Sequence, residues 1–197
     1  MIAGNHPEIS FINSRAGTLQ TERTIMNKGK KKRASKQPAG VKQLRMRITV
    51  DDPLHIGLKK IKISGKELGS LPPSLYKLTE LQVLDLSPER EACLFYHLSE
   101  LPPAIGNLCN LTVLAVDTNK LTCLPEEIGE LACLERLALS NNQLSELPRS
   151  FSRLFTLRSL YCSNNCFKHF PTEVCQLKSL AFVDFSDNFL KSIPEGL

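Results

Sequence analysis

Four asparagines, Asn119, Asn142, Asn165 and Asn188, recur at intervals of 23 residues, each three places after the end of a Leu-x-x-Leu-x-Leu run or its close variant, with Val116, Cys162, Val183 and Phe185 as the departures. A carboxamide offers two N–H donors and an acceptor oxygen. The chemistry this spacing points to is hydrogen bonding: an asparagine turned inward pairs the backbone groups left over where a chain leaves a sheet. A leucine there would leave them unpaired, at about 1–3 kcal/mol for each buried group. The other chemistry-bearing side chains do not converge. His6, His55, His97 and His169 are scattered, with no nucleophile elbow, phosphate loop or metal-ligand spacing around them. Cys162 and Cys166 have no second pair and no neighbouring histidine pattern, so they read as small core hydrophobes rather than metal ligands. No catalytic residue, metal or cofactor is expected, and the chain does not read as an enzyme.

The elements that must position the asparagines follow from the same frame. Six units begin at Leu58, Leu81, Leu111, Leu134, Leu157 and Leu180. The first, third, fourth and fifth are 23 residues long, the second is 30, and the sixth stops after eighteen. In each, alternation places a short strand: Leu111, Leu114 and Val116 point inward, Val113, Ala115 and Asp117 outward. One such strand cannot bury its apolar face alone, so the units must stack into a parallel sheet. The second half of a unit, clearest in Leu124-Pro125-Glu126-Glu127-Ile128-Gly129-Glu130-Leu131, carries a proline at positions 72, 102, 125, 148, 171 and 194. Proline suits the first position of a helical turn, and Gly106 and Gly129 are expected to let the chain turn back towards the next strand.

These motifs resemble the leucine-rich repeat family over 58–197, and the Leu-Pro-x-x-Ile-Gly-x-Leu half looks like the intracellular Ras-group repeats of Ras suppressor protein-like scaffolds. The resemblance implies an α/β solenoid, with a curved parallel sheet inside and short helical or 3-10 segments on the convex side, used to bind other proteins. By the same resemblance a small GTPase or a kinase complex is a reasonable partner. The first two units depart from the pattern, with Lys66 and Glu89 at the asparagine position; atypical terminal units are usual in such stacks.

Ahead of the repeats the composition changes. Residues 1–50 hold eleven Lys/Arg against two Glu, and the remainder fourteen against eighteen Asp/Glu. Residues 1–40 read as a disordered basic arm. Its run Lys30, Lys31, Lys32, Arg33 and Lys36 could serve nuclear import, or bind nucleic acid or an acidic membrane. Residues 41–57 read as a capping strand and linker, because Leu44, Met46, Ile48 and Val50 alternate with polar residues. Seven scattered cysteines without terminal clusters, no apolar leader and no stretch able to span a bilayer fit a reducing compartment: the cytoplasm, with the nucleus as the alternative. The last unit breaks off five residues short without a polar cap, so a fragment or short isoform is expected.

A solenoid's outward strand residues can vary without harming its core, which makes the inner wall the first candidate surface: Val113, Asp117, Arg136, Ser140, Tyr161, Ser163, Phe182 and Asp184. Exposed aromatics beside carboxylates can anchor a protein partner, although Phe182 could equally pack on its sheet neighbours. The seven-residue insertion within 87–97 is the second candidate; Phe95 and Tyr96 either serve binding there or lie back on the core. The expected function is a non-catalytic interaction module, a cytoplasmic signalling scaffold or adaptor. The alternatives are a nucleic-acid-associated protein acting through its basic arm, or a substrate-recognition subunit of a larger complex.

Overall fold

The computed structural model describes residues 40–89 and 95–192. The basic run at 30–36 and Pro194 lie outside the described residues. Six three-residue strands, β1 (Lys60–Lys62), β2 (Val83–Asp85), β3 (Val113–Ala115), β4 (Arg136–Ala138), β5 (Ser159–Tyr161) and β6 (Phe182–Asp184), form one parallel sheet in chain order. The register follows the repeat: Ile61, Leu84, Leu114, Leu137, Leu160 and Val183 stand side by side. The insertion does not disturb it, since Val83 still pairs with Val113. Leu111, Leu114 and Val116 are fully buried while Val113, Ala115 and Asp117 keep part of their surface, as a period of two demands. Their counterparts in neighbouring units merge into one continuous leucine core.

The chain leaves each strand through a tight left-handed step. Thr118, Asn141, Asn164 and Asp187 have φ of 52–59°, and Gly65 holds the same place in the first unit at 62°. The second unit has Pro88 at this place, whose ring fixes φ near −65°. That step cannot form there, and the longer connection of 87–97 takes its place. After Thr118, Asn141, Asn164 and Asp187 the next residue is the ladder asparagine, whereas Lys66 follows Gly65. Asn142 Nδ2 donates to the carbonyls of Val116, Leu139 and Ser140, and its Oδ1 accepts the Leu121 N–H. Asn119, Asn165 and Asn188 repeat this pattern one unit apart.

Five 3-10 segments form the opposite wall alongside the repeats: Pro73–Lys77, Pro103–Asn107, Glu126–Glu130, Arg149–Arg153 and Val174–Gln176. The recurring prolines stand just before the first four rather than inside them, in extended conformation. Their carbonyls accept the first turn's bond, as from Ile128 N–H to Pro125 O at 3.1 Å. The two glycines also do something other than reverse the chain. A Cβ on Gly106 would stand 2.5 Å from Glu130 Oε2 and 3.0 Å from Glu127 O, and one on Gly129 would collide with Ser150 O. They are there because successive segments press together, not because φ is unusual. Tyr76 occupies the corresponding place in the first unit, where burial pushes its phenol up to about 12.

Residues 41–50 differ from the strand expected of them. Val41–Arg45 form a short helix, α1, and only Thr49 touches the sheet edge, as an antiparallel bridge to Lys60. The alternation misled because just one of its four apolar residues is inside: Leu44 is fully buried, Ile48 partly, and Met46 and Val50 face solvent. α1 packs on Pro73–Lys77, and Arg45 Nε donates to Glu80 Oε1 while Arg47 donates to Glu67 Oε2, both at 2.7 Å.

Candidate protein-binding surface

The outward side chains fall into columns set by the register. One column runs Lys60, Val83, Val113, Arg136, Ser159, Phe182, and the next Lys62, Asp85, Ala115, Ala138, Tyr161, Asp184. Tyr161 and Phe182 are therefore diagonal neighbours, with ring centroids 5.0 Å apart and planes tilted by 38°. On the other side of Tyr161 the Arg136 guanidinium lies over the ring, 4.7 Å from its centroid. Arg136, Tyr161 and Phe182 thus form one cation–aromatic–aromatic stack across β4, β5 and β6, a favourable arrangement of charge over a π face. Phe182 remains 48% exposed, so packing on Tyr161 still leaves half of it available.

A third column continues as hydroxyls and carboxylates. The Asp117 N–H donates to Ser87 Oγ, Asp117 Oδ1 accepts the Ser140 N–H at 2.8 Å, and Ser140 and Ser163 hydroxyls meet at 2.9 Å. Burial raises the Asp117 carboxyl above its usual range, opposed by the Ser140 bond and by Arg136. Asp184 moves the other way, lowered by hydrogen bonds from the Ser186 side chain and backbone. Val113, Asp117, Arg136, Ser140, Tyr161, Ser163, Phe182 and Asp184 all lie on this inner wall. In the insertion, Phe95 is 74% exposed, its ring tilted by 57° to that of Tyr96 with centroids 6.5 Å apart. Cys162 is fully buried in the core, and burial pushes its thiol well above the ordinary value.

Residues 109–167 match the family model described as leucine rich repeat. The fold is a leucine-rich repeat solenoid. Among solved structures it is similar to a leucine-rich repeat protein of Leptospira interrogans, at 32% identity and TM-score 0.56, covering 68% of this chain and 38% of that one. It also resembles internalin C2 of Listeria monocytogenes at 23% identity and TM-score 0.56, covering 67% and 53%. The chain thus spans only part of the length of either protein. No curated protein matches it. Leucine-rich repeat solenoids are generally protein-interaction modules, typically non-catalytic, that use the concave wall to hold a partner.

Sequence reasoning missed residues on the repeats' N-terminal flank. Leu54 and Ile56 are 84% and 83% exposed although they are large aliphatics. Leu54 also lines the concave side together with Arg136 and Arg158. The available signal was the pair of aliphatics Leu54 and Ile56 between Asp52 and Gly57, which belongs to no repeat. Among the described residues there is no cluster of metal-ligating side chains and no helix long and apolar enough to cross a membrane.

Proposed function

We propose that this protein is a non-catalytic interaction module that grips a protein partner on its concave wall, with Arg136, Tyr161 and Phe182 as the anchor. The stack itself carries this reading. Interfaces draw most of their energy from a few aromatic and arginine side chains on rigid supports, and here three adjoin on a hydrogen-bonded sheet. A preformed wall also needs little ordering on association. A scaffold or adaptor role in the cytoplasm is supported by the six described cysteines, all free and four of them exposed, which suits a reducing compartment. The resemblance of the Leu-Pro-x-x-Ile-Gly-x-Leu segments to Ras-group repeats favours a small GTPase or kinase complex as partner.

The test compares partner capture by Tyr161→Ala and Phe182→Ala with Phe155→Ala, which removes a ring 66% exposed in the connection between Arg149–Arg153 and β5. Each inner-wall change is expected to weaken capture about tenfold or more, the range of an interface anchor, and Phe155→Ala to leave it intact. Undiminished capture by both Tyr161→Ala and Phe182→Ala would remove this wall from consideration.

A further inference from the structure

The chain between α1 and β1 is a built turn, not slack linker. Asp52 Oδ1 accepts the Leu54 N–H at 3.0 Å and a hydrogen bond from His55 Nδ1 at 3.0 Å, while Asp52 Oδ2 takes Lys60 Nζ at 2.7 Å. The backbone closes it further, from Gly57 N–H to Val50 O at 2.9 Å, and Gly57 stands at φ 78°, where a side chain is disfavoured. The product of this clip is the presentation of Leu54 and Ile56 to solvent. Nothing in the clip's own bonding requires aliphatics there, and large apolar side chains held out on an ordered turn mark contact sites.

The clip faces a trough of about 380 Å³ along the concave wall, whose lining includes Leu54, Leu58, Val113, Glu135, Arg136 and Arg158. Among the described residues neither arginine has a carboxylate within 4 Å. Glu135 puts one negative charge on the same lining against the two guanidinium groups, so the trough keeps an excess of positive charge at one end and aliphatic surface at the other. Arg136 joins it to the Tyr161–Phe182 stack.

We infer that the clip and the arginine pair form a docking trough for a protein segment that carries a large apolar side chain beside carboxylates. This rests on the proposed concave-wall reading and names the partner's chemistry. The apolar side chain packs on Leu54 and Val113 in the trough, with the exposed Ile56 two residues along the same turn, and the carboxylates meet Arg136 and Arg158, whose planar donors match them.

A short synthetic peptide, Asp-Leu-Glu-Phe-Asp between glycine–serine flanks, is titrated into the full chain and followed by amide and arginine side-chain NMR shifts. Three control ligands accompany it: the peptide with lysines for its acids, the peptide with serines for Leu and Phe, and an oligouridylate. Saturable shifts at Leu54, Ile56, Val113, Arg136 and Arg158 with the first peptide alone are expected. The affinity should fall roughly tenfold in a Leu54→Ser, Ile56→Ser double variant, whose exposed substitutions leave the thermal midpoint unchanged, and in Arg158→Gln. Absence of saturable shifts, equal binding of a control peptide or the oligouridylate, or concentration-dependent shifts at the clip without peptide (a second copy as occupant) overturns the inference. Shifts confined to Tyr161 and Phe182 overturn it while leaving the wall's proposed role intact. Clip and arginine shifts that persist in Phe182→Ala with undiminished affinity keep the trough and remove the aromatic anchor.

Discussion

A ladder asparagine satisfies four backbone groups with one side chain, and two of them belong to neighbouring turns. Asn142 joins Val116 and Leu121 of one unit to Leu139 and Ser140 of its own. Asn142→Ala orphans the buried Leu121 N–H, while the three carbonyls keep second donors in Asn119 Nδ2, Asn165 Nδ2 and the Thr118 N–H; a loss of about 1–3 kcal/mol is expected from one unpaired buried group, and chemical denaturation measures it. Asp52 makes a different prediction. Its carboxyl is lowered to about 2, first by the hydrogen bond from Lys60 and then by those from His55 and Leu54, against an opposing push from burial. Because the folded group titrates below its ordinary 3.8, its contribution is whole above that value and fades as pH falls through about 2. The turn should therefore stay closed at pH 5 and open only in that acid window, read as lost hydrogen-exchange protection of the Leu54 and Gly57 amides, whereas Asp52→Asn should open it at neutral pH. For Asp117 the sign reverses. Burial raises its carboxyl, so ionisation works against the fold, and an Asp117→Asn variant should gain on the parent at neutral pH and lose that advantage on acidification. The asparagines were legible in the sequence because their need is local and repeats. Asp52 was not, since its partners span a single turn that occurs once.

At the scale of elements, contact between units decides what a position tolerates. The segments Glu126–Glu130 and Arg149–Arg153 are held together by the Ser150 N–H, which donates to Glu126 Oε2 at 3.0 Å, and Gly129 lies where the Ser150 backbone arrives. Gly129→Ala should cost about 1–3 kcal/mol, the range for forcing a methyl into a packed site. Gly69→Ala, with nothing within 4 Å of its Cβ, should stay within about 0.5 kcal/mol of the parent. Thermal melts of the two variants side by side check both. The glycine's place in the motif was readable, but its reason was not, because the reason lies in the next unit. α1 shows the opposite failure. Short alternation over Leu44, Met46, Ile48 and Val50 imitated a strand, while a single inward residue decided the outcome. Leu44→Ala should cost about 3 kcal/mol as a buried leucine truncation, and Met46→Ser nearly nothing.

Across the whole solenoid, the period of 23 residues predicted strand order, direction and inward residues together, because each unit contacts only its neighbours and the register is therefore a local property repeated. The insertion tests that idea within the molecule. Asn119 Oδ1 accepts the Leu98 N–H at 2.7 Å across it, so the Asn119 rung still closes on the second unit despite its seven additional residues. What the period could not provide is the charge and shape of the inner wall, since outward residues are free of the core. The repeat frame made Tyr161 and Phe182 legible as diagonal neighbours, but not the Arg136 guanidinium over the Tyr161 ring. The most direct test of the concave wall as the partner-binding surface is site-specific photo-crosslinking, with a benzophenone side chain introduced at position 182 or at position 155 and the crosslinked partner quantified. The account predicts strong crosslinking from 182 and background from 155. Equal yields from the two positions, or a yield from 155 alone, would contradict it.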